Sequence, residues 1–78
     1  MNVKVRYFAV LREVRGVEEE LVAFDPGETV GALYERLFPA SAEGRLPVAF
    51  AINHAYVSPQ TLLEEGAAVA FIPPLGGG

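Results

Sequence analysis

Few side chains in this sequence are suited to chemistry, and they do not converge. The single histidine, His54, stands between Asn53 and Ala55. The chain has no cysteine, so no second nitrogen or sulfur ligand completes a metal site around it and no thiolate nucleophile exists. His54 therefore reads as a turn residue. Asp25 opens the tetrad Asp-Pro-Gly-Glu, where a carboxylate caps a tight turn, and Glu18, Glu19 and Glu20 read as the solvated face of a strand edge. Paired-acid catalysis needs a cleft that 78 residues can hardly enclose.

What remains is the C-terminus, Phe71-Ile72-Pro73-Pro74-Leu75-Gly76-Gly77-Gly78. Phosphate-binding glycine loops place their glycines between a strand and a helix, and here no helix follows. Three terminal glycines cannot pack and lose much backbone entropy on ordering, so on composition alone they could be a frayed end. Pro73 and Pro74, however, fix φ and remove two donors, which ends a sheet and projects the chain stiffly. Six extended residues from Pro73 onward reach about 20 Å at ~3.3–3.6 Å each, enough to enter another protein's active site. The only reactive group at the tip is the Gly78 carboxylate. With a pKa near about 3.5 it is ionised at neutral pH and a poor electrophile. It needs activation, most simply as an acyl-adenylate, before a nucleophile can attack.

The body that carries this tail is one small domain, expected over residues 1–72, with the tail over 73–78. Hydrophobic residues make up 51% of the chain and charged ones 21%, a composition for a compact core and not for a disordered segment. A net charge of −4 and a pI near 4.8 disfavour nucleic acid as a partner. Lys4, Arg6, Arg12 and Arg15 nevertheless cluster near the start. The opening residues alternate basic and apolar side chains unlike a signal peptide, and no apolar run approaches the roughly 20 residues of a membrane span. The expectation is a cytoplasmic protein without a membrane association.

Val3, Val5 and Tyr7 alternate with Lys4, Arg6 and Phe8, the period of a half-buried strand. The stretch AVLREVRG breaks that period and reads as an irregular or single-turn helical connection closed by Gly16. EEELVAF reads as a second strand, followed by a Pro-Gly turn. Thr29 is placed to cap a helix whose apolar residues Val30, Leu33, Tyr34 and Leu37 follow helical spacing, and Pro39 ends it. After a loop over residues 39–47, Val48, Phe50 and Ile52 alternate with alanines in a third strand that turns at Asn53 and His54. A short strand at Tyr56 and Val57 and a last strand ending at Ile72 complete the order β β α β β β. This is an α+β plan, with a ubiquitin-like β-grasp, one helix across a mixed sheet, as its natural form.

The segments VRYFAVLREVRG, VAFAINHAYV and EEGAAVAFIPPLGGG resemble, over essentially the whole chain, the family of small sulfur-carrying subunits of molybdopterin synthase. A strand, a Phe, two prolines, a two-residue spacer and Gly-Gly form the specific part of the likeness. The resemblance implies that Gly78, with Gly77 beside it, is adenylated by a ubiquitin-activating-like adenylyltransferase that uses ATP. A sulfur donor protein then supplies the sulfur of a thiocarboxylate, and the tail delivers it to a pterin precursor in the large synthase subunit. This chain itself would bind no cofactor or metal and would be a non-catalytic sulfur-donor subunit. Within the same chemistry, a carrier for thiamine or tRNA thiolation stays open, as does a ubiquitin-like modifier; an inert binding module is the third reading. The resemblance further implies that Phe8, Arg12, Tyr56 and Ile72, with Pro73, Pro74, Leu75 and Gly76 of the tail, bind the partner. Strand parity agrees, since Phe8 shares the face of Lys4 and Arg6, and Ile72 that of Ala68 and Ala70. Phe8 is expected to be an exposed anchor whose loss leaves the monomer's stability nearly unchanged.

Overall fold

The computed structural model describes residues 1–39 and 47–74. The elements are β1 (Asn2–Tyr7), α1 (Ala9–Arg15), β2 (Glu19–Ala23), α2 (Val30–Leu37), β3 (Ala49–Ile52), β4 (Ala55–Val57) and β5 (Ala68–Ile72). They form one five-stranded sheet in the order β2-β1-β5-β3-β4. β1 runs parallel to β5 at its centre, and the other pairs are antiparallel. This is the β-grasp expected from the sequence.

Alternation builds the core from one face of the sheet. Val3, Val5, Tyr7, Val69 and Phe71 are at most 1% exposed, and α2 closes over them with Val30, Leu33 and Tyr34. The Tyr34 ring lies 5.0 Å from that of Phe71 and 5.8 Å from that of Phe50, centre to centre, distances at which tilted and edge-on aromatic pairs add to simple burial. Thr29 caps α2 as its position predicts, Oγ1 accepting the Ala32 N–H at 3.1 Å. The chain turns from β3 to β4 through Asn53 and His54, both left-handed at φ 51° and 72°, which suits the right-handed twist of a two-residue hairpin. Asn53 also ties this hairpin to β5: its N–H donates to the Ala68 carbonyl at 2.7 Å, and its Oδ1 accepts the Ala68 N–H at 2.9 Å.

Two expectations change. AVLREVRG, expected as an irregular or single-turn helical connection, is a seven-residue helix, closed as expected by Gly16 at φ 78°, whose N–H reaches the Arg12 carbonyl at 2.8 Å. It buries only Leu11, while Val10 and Val14 stay exposed. Strand one stops at Tyr7, and Phe8 becomes the N-cap of α1 with extended backbone. The loop expected over 39–47 lies largely outside the described residues, at positions 40–46.

Candidate functional site: the outer sheet face and the root of the tail

The face of the sheet turned away from α2 is floored by small side chains. One row crosses every strand in register, Glu19 beside Arg6, then Ala70, Ala51 and Tyr56. Ala68 pairs with Lys4 in the neighbouring row, and Ile72 pairs with Ala49 at the other end. Methyl groups at the centre and long side chains at the edges leave a groove of about 450 Å³, with Lys4 and Arg6 on one wall and Tyr56 and His54 on the other. Phe8 and Ile72 stand at the end where the tail leaves the sheet. Three of the residues expected at a partner interface, Phe8, Tyr56 and Ile72, thus meet around one depression.

Their exposures differ, and the difference matters. Tyr56 is 76% exposed and Phe8 39%, while Ile72 is half-buried. Phe8 is held against its own fold, with the Arg6 guanidinium 5.8 Å from its ring centre. Phe8 is exposed, as expected of an anchor, with part of its surface covered within the carrier. Arg6 also meets Glu18 at 3.5 Å, between two well-exposed side chains, a contact worth little on its own. Arg12 is exposed on α1, outside the groove lining, and no ion pair engages it among the described residues. Pro73 is buried and Pro74 exposed. Leu75, Gly76, Gly77 and Gly78 lie outside the described residues.

Lys4, Arg6 and His54 join the groove without having been assigned to a partner interface. Parity placed the first two on the face of Phe8. For His54 no local signal exists, because the register of β3, β4 and β5, set at long range, brings the hairpin turn to the groove's far end.

On the core side, beneath Phe8, a polar group ties α1 to the sheet. Glu20 Oε2 accepts from Arg15 Nε at 3.0 Å and Nη2 at 2.7 Å, and from the Tyr7 hydroxyl. Burial, with the Glu20 carboxylate beside it, pushes the Tyr7 phenol pKa well up. The Tyr7 hydrogen bond, followed by Arg15, holds the Glu20 carboxyl below its usual range against some desolvation. Among the described residues no three His, Cys, Asp or Glu side chains gather to hold a metal ion, and no helix is long and apolar enough to cross a membrane.

A mixed sheet with α2 packed across its core face, and an alanine-floored outer groove at the root of a Pro-Pro-based tail, is the architecture of a ubiquitin-like carrier. The ThiS family matches residues 5–78. A molybdopterin synthase sulfur carrier subunit of Chlamydomonas reinhardtii is 40% identical over 100% of both chains. Its counterpart in Arabidopsis thaliana is 31% identical, over 100% of this chain and 84% of the relative. A candidate molybdopterin converting factor, subunit 1, of Pyrococcus furiosus superposes with a TM-score of 0.78 at 32% identity, over 96% of this chain and 99% of that one. The chain belongs to the ThiS family, and its role is that of a non-catalytic sulfur carrier.

Proposed function

We propose that this chain is the sulfur-carrier subunit of molybdopterin synthase, a β-grasp domain assigned to residues 1–72 with a reactive tail assigned to 73–78. The observation that carries the reading is similarity, over the whole of this chain, to two such subunits, with the Gly77-Gly78 pair inside the matched length. The Gly78 carboxylate is adenylated at the expense of ATP by a ubiquitin-activating-like enzyme, and a sulfur donor protein then converts the activated acyl group to a thiocarboxylate. The outer groove receives the large synthase subunit, and the tail enters that subunit's active site to hand sulfur to a pterin precursor. The carrier's own residues do no acid–base work in this scheme. They set where the tail begins and which surface docks.

Deletion of Gly78 tests the reading. The shortened chain should keep its melting temperature and lose both thiocarboxylate formation and sulfur transfer with purified partners. Retained dithiolene formation would refute the reading. Intact mass spectrometry of the protein from cells separates the alternatives, since sulfur in place of a terminal oxygen marks a carrier and a lysine-linked adduct marks a modifier.

A further inference from the structure

Helix α1 carries two residues expected at the interface, Phe8 as its N-cap and Arg12 within it, yet its hold on the fold is slender. Only Leu11 is buried. The chain turns out of β1 through Ala9, whose φ of 52° is left-handed, a conformation that a residue with a Cβ keeps only when its surroundings fix it. At the start of the turn, the Tyr7 N–H donates to the Glu18 carbonyl at 2.9 Å and the Leu11 N–H to the Phe8 carbonyl at 3.0 Å. At the far end, Arg15 closes on Glu20 through two hydrogen bonds, and its guanidinium lies 5.9 Å from the Tyr7 ring centre. One carboxylate oxygen therefore joins the last turn of α1 to Tyr7, the residue immediately before Phe8. Glu20 pairs with Val5, a fully buried residue, so its side chain is on the core side of the sheet. A partner seated in the outer groove does not reach it.

We infer that Glu20 is a positioning residue for docking: through Arg15 and Tyr7 it locks α1, keeps Ala9 in its left-handed turn and so fixes Phe8 at the rim of the alanine groove. The inference rests on the reading that this groove receives the large synthase subunit. With the lock cut, α1 is held by Leu11 and backbone contacts alone, and Phe8 samples positions away from Ile72. The affinity lost is then the affinity Phe8 supplied.

That logic fixes the test. Dissociation constants for the purified large subunit are measured by titration calorimetry for the wild type, Phe8→Ala, Glu20→Ala and the double variant, with a thermal melt of each. Glu20→Ala should weaken binding about tenfold when Phe8 is present and less than about twofold when it is absent, the signature of coupled residues. Glu20→Gln, whose amide oxygen still accepts from both partners, should recover most of the affinity. Arg15→Ala, which leaves the bond between Tyr7 and Glu20 in place, should show the same dependence on Phe8 should Glu20→Ala melt too low to assay. Equal losses in both backgrounds would overturn the inference, because a purely structural role does not depend on Phe8. An unchanged constant for Phe8→Ala alone would overturn the docking reading as well.

Discussion

Tyr56→Ala is the substitution that separates docking from folding most cleanly. Tyr56 sits in the middle of β4, an edge strand, and is 76% exposed, the most open large apolar residue on the groove. An aromatic side chain carries roughly 150–250 Å² of surface, so about 115–190 Å² of Tyr56 is free to be covered. At about 25 cal/mol per Å² that is about 3–5 kcal/mol if the partner covers it completely. Association recovers only part of such a figure, and we expect Tyr56→Ala to weaken the complex by about 1.5–3 kcal/mol, the range of an interface anchor. Monomer stability should change by less than about 1 kcal/mol, chiefly from strand propensity. Phe8→Ala behaves differently. With 39% exposure, the same conversion gives at most about 1.5–2.5 kcal/mol, and after the same discount a share in binding of about 0.7–1.5 kcal/mol, while its larger covered share makes the monomer melt lower too. Titration calorimetry with the large subunit, paired with denaturant unfolding of the carrier alone, resolves both quantities. Unchanged affinity for Tyr56→Ala, or a loss of stability exceeding the loss of affinity, would refute the assignment of this groove as the docking surface.

Two further outcomes follow from the core side. A Cβ on Gly31 would come within 2.9 Å of both the Cβ and the carbonyl oxygen of Pro59, the oxygen that accepts the Gly31 N–H; Gly31→Ala should cost about 1–3 kcal/mol of stability, because backbone cannot give way cheaply, and an unshifted denaturant midpoint would show that the loop over 58–62 moves freely. Tyr7 has a folded pKa raised above its unfolded value of about 10, so its contribution is complete below that pH and is lost as pH rises through the folded value. Denaturant unfolding between about pH 9 and 11 should show stability declining in the wild type and a flatter profile in Tyr7→Phe; equally steep profiles would remove Tyr7 as the cause.

Much of the site was legible because strands report their faces locally. Alternation put Val3, Val5 and Tyr7 inside and Phe8 opposite them, and the same parity placed Ile72 and Tyr56 outward. What parity cannot give is adjacency. Phe8 and Ile72 line one groove only because β1 lies parallel to β5, with Tyr7 against Phe71, a pairing between strands far apart in the sequence. Nor can it give width, since the groove exists because Ala51, Ala68 and Ala70 from two strands fall in neighbouring positions. Helix α1 was read too short for a different reason. A helix announces itself by an apolar stripe, and this one buries a single residue while Val10 and Val14 face solvent. It exists through contacts that leave no period in the sequence: a left-handed alanine at one end, a left-handed glycine at the other, and an arginine closing on a glutamate of the next strand. The face proposed for docking is thus written in local alternation, whereas the placement of Phe8 upon it is, on our inference, decided at Glu20, on another strand and on the opposite side of the sheet.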